Sequence, residues 1–129
     1  MKETILITPS KDGVHKWSAT FKDGTVVDFG LRGYSDYTLH KTPSRMRSYV
    51  RRHGGIVSER LGKEDDPVKI QNKMLAVKKS DKENWGPSGV NTAGFWSRWL
   101  TWSYPNINNA TRFIEKEILK NKYHIKLIK

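Results

Sequence analysis

The chain has 129 residues, enough for one domain with a modest core, and its 24 Lys and Arg against 13 Asp and Glu give a formal charge of +11. It has no cysteine, which excludes disulfides, thiolate chemistry and thiolate zinc sites. The hydrophobic fraction is only 36%, but five tryptophans, five tyrosines and four phenylalanines argue against full disorder, since each large ring buries about 150–250 Å².

The start MKETILITPS lacks the basic-then-apolar run of a signal peptide, and no stretch reads as a membrane span. An intracellular protein, or one packaged from inside a cell, is the expectation, with no membrane insertion. Ile5, Leu6 and Ile7 form a short apolar run, and residues 9–13 read as a turn or link. From His15 the pattern becomes a strand: Trp17, Ala19 and Phe21 alternate with Lys16, Ser18 and Thr20. Asp23-Gly24 is a favoured hairpin turn, and residues 26–29 supply the return strand, ending on Phe29. The apolar face of this hairpin is expected to pack on the helix that begins after Thr42.

Residues 29–53, FGLRGYSDYTLHKTPSRMRSYVRRH, organise the rest. Gly30 and Gly33 permit a sharp turn. Thr42-Pro43 reads as N-cap and first helical residue. Met46, Tyr49, Val50 and His53 then share one helical face, with Arg45, Arg47, Arg51 and Arg52 on the others. Gly54-Gly55 should end the helix, and residues 54–84 read as an inserted or flexible middle segment. Within it, residues 56–61 can resume helix, residues 68–77 suit a short helix or strand, and residues 78–83 are polar linker by composition.

Residues 84–105, NWGPSGVNTAGFWSRWLTWSYP, read as a loop, a cap at Asn91 or Thr92, and a tryptophan-rich helix. Phe95, Trp99 and Trp102 share one face, Trp96 and Leu100 lie beside them, and Arg98 and Thr101 are expected to point away. Asn106 can cap a last helix, and the alternation of Tyr123, Ile125 and Leu127 reads as a terminal strand that can join the hairpin sheet. The expected fold is a small single α+β domain spanning residues 1–129. It combines an N-terminal antiparallel β-hairpin, a basic helix, a tryptophan-rich helix, a C-terminal helix and that strand. Its core is expected to hold Trp17, Phe21, Phe29, Met46, Tyr49, Val50, Phe95, Trp99 and Trp102.

The candidate contacts to a polyanion are Lys41, Arg45, Arg47, Arg51 and Arg52, with Arg98 joining them from the tryptophan-rich helix. A guanidinium presents a planar donor fork that fits phosphate, and Arg47 and Arg51 are one turn apart. The alternative is a solvated basic face that pairs with Glu59 or with the acids at 64–66. Aromatic rings beside cations suit single-stranded nucleic acid, although rings at helical spacing more often build a core. Tyr34, Asp36, Tyr37 and His40 carry polar atoms that a nuclease or phosphoryl-transfer site would use. That reading needs Asp36 and His40 to converge with Arg51 or His53, and no nucleophile-and-base spacing is present. The pattern calls for no cofactor and no metal.

The hairpin with residues 29–53, together with TAGFWSRWLTWSYP at residues 92–105, resembles a family of small uncharacterised proteins encoded by large double-stranded DNA viruses of protists, of giant-virus type. The shared features are a strand pair, a glycine-tyrosine-aspartate-tyrosine-threonine segment with a histidine, a basic helix ending in arginine-histidine, and a tryptophan-rich helix before proline. This chain departs from them at residues 54–83, and at Lys41-Thr42-Pro43, where the relatives carry an acidic residue. The resemblance brings no activity; it implies a viral setting, in host cytoplasm or nucleus or in the virion. The expectation is a non-enzymatic nucleic-acid-binding protein, with DNA favoured over RNA and phosphate contacts rather than sequence readout. The alternative is a structural virion component whose basic face meets acidic or virion proteins.

Overall fold

The apolar run at residues 5–7 lies inside a sheet rather than at its margin. The computed structural model describes residues 2–129. Strands β1 (Glu3–Pro9), β2 (His15–Thr20), β3 (Val26–Leu31) and β4 (Tyr123–Leu127) form one four-stranded sheet in the order β3-β2-β1-β4. The β2–β3 hairpin is antiparallel, with Trp17 opposite Phe29 and Ala19 opposite Val27. Its turn carries Gly24 at φ +90, and Asp23 Oδ1 accepts from the Thr25 amide at 2.9 Å, in keeping with the Asp-Gly signal. β1 pairs antiparallel with β2 and parallel with β4.

Strand alternation sends Ile5, Ile7, Ala19, Val27, Phe29 and Ile125 to one buried face. Trp17 and Phe21, expected in the core, are half-buried and pack against its edge. On the other face Asp28 accepts hydroxyl hydrogen bonds from Ser10 at 3.0 Å and Ser18 at 2.5 Å, so Ser18 is buried without being apolar.

Six helical segments follow: α1 (Tyr37–His40), α2 (Pro43–Arg52), α3 (Glu59–Gly62), α4 (Pro67–Met74), α5 (Ala93–Trp96) and α6 (Ile107–Phe113). Both α5 and α6 continue into wider π-helical turns, at Ser97–Thr101 and Ile114–Ile118. Short polar side chains start most of them, as Asp36, Ser58, Asp66, Thr92 and Asn106 accept from amides of the first turn. The helices that lie on the sheet are α5 and α6, whereas α2 packs against α4 and α1, contrary to the expected hairpin–α2 contact. Two causes are visible. A parallel β1–β4 pair demands a crossover connection, and α6 is the element that leads into β4. The larger rings also belong to α5, where Trp96 stacks on Phe29 at 6.0 Å between centroids.

The middle segment carries α3 and α4, and Ile70 and Met74 from α4 enter the same core as the strands. Phe29, Met46, Tyr49, Val50, Phe95 and Trp99 are all in that core, while Trp102 is half-buried at its margin.

Arg98 and Thr101 do not point away from the core; both are buried, Arg98 completely. The wider turn that begins at Ser97 alters the phase of the helix, so a pattern read at 3.6 residues per turn misplaces them. Arg98 Nη1 donates to the Trp102 carbonyl at 2.6 Å, and Nη2 donates to the Met74 and Val77 carbonyls at 2.7 and 3.3 Å. Its guanidinium lies 4.3 Å from the Trp99 ring centroid and 5.4 Å from that of Trp85. Burial lowers its pKa to about 9, still high enough to keep it charged at neutral pH. Replacing Arg98 with Met should lower the unfolding free energy by about 3–5 kcal/mol in urea titrations, since three carbonyls lose a buried charged donor. A loss below about 1 kcal/mol would show that these carbonyls find other partners.

Candidate functional site

The site is built on α2 and on the turn that stops it. Pro43 needs no amide partner at the first helical position, and Thr42 precedes it in an extended conformation. Thr42 does not cap the helix with its side chain; its hydroxyl donates to the His40 carbonyl at 3.2 Å. At the other end Gly54 has φ +90, and a Cβ on Gly55 would stand 2.4 Å from Val50 Cγ1. Ser80 Oγ donates to the His53 carbonyl at 2.5 Å and the Asp81 amide to the Gly54 carbonyl at 3.0 Å. Glu83 completes the anchor by contacting His53 Nδ1 at 3.1 Å and accepting from Trp85 Nε1 at 2.8 Å.

Lys41, Arg45, Arg51 and Arg52 are exposed along α2 and its approach. Arg47 is half-buried and acts as a strut, because its Nη1 donates to the carbonyls of Leu61 at 2.9 Å and Glu64 at 2.6 Å. Arg51 lies over Gly62, where a Cβ would meet its Nη1 at 3.4 Å. Arg98, expected beside these cations, is sealed in the core and is unavailable to any external phosphate. Sequence reasoning passed over a second cationic group. Arg60, Lys69 and Lys73 line a hollow of about 250 Å³ beside α3 and α4, and the i, i+4 spacing of Lys69 and Lys73 was its only local signal.

Glu64 also lines this hollow, and most carboxylates serve local contacts. Asp36 and Asp66 cap helices, Asp12 and Glu115 contact His15 and His124, and Glu64 accepts from the amides of Asp65 and Asp66. Among the described residues only Lys16 and Lys63, of all the lysines and arginines, come within ion-pair distance of a carboxylate. The alternative pairing of the α2 arginines with Glu59 or the 64–66 acids does not occur through side chains; Glu59 pairs with Lys63.

Beside α2 a cleft of about 360 Å³ opens between the turn after β3 and the end of the tryptophan-rich helix. Gly30, Tyr34, Tyr49, Arg52, His53 and Trp102 line it, and no carboxylate does. Tyr49 and Trp102 stack almost parallel at 4.4 Å and 7°, and His53 stacks on Tyr49 at 4.1 Å. Tyr34 is 70% exposed at this cleft. The turn at residues 30–33, with Gly30 and Gly33 both at positive φ, carries it out of the sheet.

The residues of a nuclease constellation go to separate places. Asp36 is buried, caps α1 and pairs with Lys16 Nζ at 2.6 Å. His40 faces Trp102 at 5.2 Å, His53 meets Glu83, and Arg51 covers Gly62. Tyr37 is buried and donates to Gln71, and burial raises its pKa to about 12. Among the described residues no group of three or more histidine and acidic side chains is placed to hold a metal ion, and no helix is long and apolar enough to cross a membrane.

Fold and surface together define a small α+β protein with a cationic helix beside an aromatic cleft. Residues 5–53 match the model of a family of unknown function (DUF5754), and that match runs through β1, the hairpin and α2. No curated protein and no solved structure matches the chain. The cleft therefore joins Gly30, Tyr34, Tyr49, Arg52 and His53 from the matched stretch to Trp102 from outside it.

His40 gives the site a pH dependence. Its Nδ1 accepts from the Thr42 amide at 3.0 Å and its Nε2 is buried without a partner. Burial, then Arg45 and Lys16 against an opposing Asp36, hold its pKa below the ordinary 6.5. The unfolded chain therefore takes up this proton at higher pH than the folded one. The stabilisation is complete above 6.5 and is lost as pH falls through the folded value. In His40→Asn, whose amide oxygen can still accept from Thr42, urea midpoints measured from neutral to mildly acidic pH should fall less steeply than in the parent. Equal slopes would remove His40 as the cause.

Proposed function

We propose that this chain binds nucleic acid through phosphate contacts made by Lys41, Arg45, Arg51 and Arg52, without sequence readout. One observation carries the reading: these four side chains are exposed on one helix and its approach, and none reaches a carboxylate. Unneutralised guanidinium groups on a rigid helix release counterions from a phosphate backbone when they replace them. The formal charge of +11 supplies the long-range attraction. The resemblance to proteins of large DNA viruses supports DNA, ahead of RNA, as the first polymer to test.

The test is a salt titration of duplex binding with Arg45 and Arg51 both changed to Gln, which keeps helix propensity and removes two charges. The slope of log affinity against log salt should fall by about 2, equally on unrelated sequences. Changing Lys120 and Lys122, in the turn before β4, to Gln should leave the slope nearly unchanged. Arg47→Gln should instead lower stability, because it removes the strut between α2 and α3. An unchanged slope in the folded Arg45/Arg51 variant, or an affinity weaker than about 100 μM at low salt, would overturn the reading.

A further inference from the structure

Phosphate contact along α2 uses Arg52 but none of the rings of the cleft beside it, and the cleft has the composition of a base-stacking site. It holds about 360 Å³, within the range of small-molecule pockets. One wall is the edge of a preformed aromatic column, in which Tyr49 is sandwiched between Trp102 and His53. Tyr34 stands at the cleft 70% exposed and takes part in none of the ring contacts inside the fold. Arg52 brings an unpaired charge into the lining. A second observation is independent of the rings. Tyr49 is 5% exposed, and its hydroxyl is buried near Ser97 without a hydrogen bond of good geometry. A buried hydroxyl left in that state is costly, and a ligand with an acceptor would satisfy it.

We infer that this cleft takes one unpaired nucleobase of a single strand, stacked on Tyr34 against the edge of the Tyr49–Trp102 column, with Arg52 on the adjoining phosphate. The inference rests on the phosphate-binding reading above and adds a preference that charge alone does not supply. A duplex keeps its bases stacked on one another and offers none to the cleft, whereas a single strand offers a π-face at every residue. An acidic protein surface has charge to meet Arg52 but does not carry a flat π-face beside every charge, as a single strand does.

Binding of the full chain to a single strand, to a strand of equal length with abasic sites, and to the matching duplex tests this. The intact strand should bind about tenfold more tightly than the abasic strand, which has the same phosphates. Tyr34→Ala should abolish that difference while leaving abasic-strand and duplex affinities unchanged, and Tyr34→Phe should retain it. Because Tyr34 is so exposed, both variants should keep the parent unfolding curve. A strand carrying 2-aminopurine should lose fluorescence on binding the parent and not on binding Tyr34→Ala. Equal affinity of the parent for intact and abasic strands overturns the inference and leaves phosphate binding standing, and it needs no variant. Failure of all three polymers to bind at low salt overturns both.

Discussion

The end of α4 and the tryptophan-rich segment converge on the buried guanidinium of Arg98. Helix ends leave carbonyls without α-helical partners, and here those of Met74 at the end of α4, of Val77 beyond it and of Trp102 beyond the π-helical turn point inward. A single planar fork satisfies them, while Trp85 and Trp99 supply the ring faces that accept its charge. Lysine, with one compact ammonium, cannot span the same carbonyls. The arrangement explains how a chain that is only 36% hydrophobic folds its middle segment onto the core. The segment is held by polar closure around Arg98 as well as by Ile70 and Met74.

The same division of labour governs the surface. Most carboxylates serve local duties, capping helices, closing turns and contacting histidines, where short side chains reach nearby amides. The long cations on α2 are left without carboxylate partners. The excess charge is therefore concentrated by the placement of the acids as much as by the count of the bases. Arg47 is the exception that shows the rule, since it turns back to carbonyls of the neighbouring turn and becomes part of the scaffold.

The cleft depends on both halves of the chain. Gly30 and Gly33 swing Tyr34 away from the sheet, while the Gly54-Gly55 stop and the 80–83 turn fix the end of α2, so that Tyr49 lies between His53 and Trp102. The tryptophan-rich helix thus serves two roles. Trp96 and Trp99 are core, and Trp102, beyond the wider turn, remains half-buried at the cleft.

Local features were legible in the sequence because they arise from neighbours along the chain. The alternation around Trp17, the Asp23-Gly24 turn, the Thr42-Pro43 start, the Met46–Tyr49–Val50 face and the Asn106 cap all rest on contacts a few residues apart. The α+β class and the terminal strand followed from those periodicities. Tertiary structure alone decided which helix covers the sheet, since that depends on the crossover to β4 and on which rings meet Phe29. It also decided which arginines remain at the surface. Arg98 and Arg52 look alike in a list of cations. Yet Arg98 is drawn inside by carbonyls 21 and 24 residues away, once a wider helical turn has rotated it inward, and no periodicity encodes that distance.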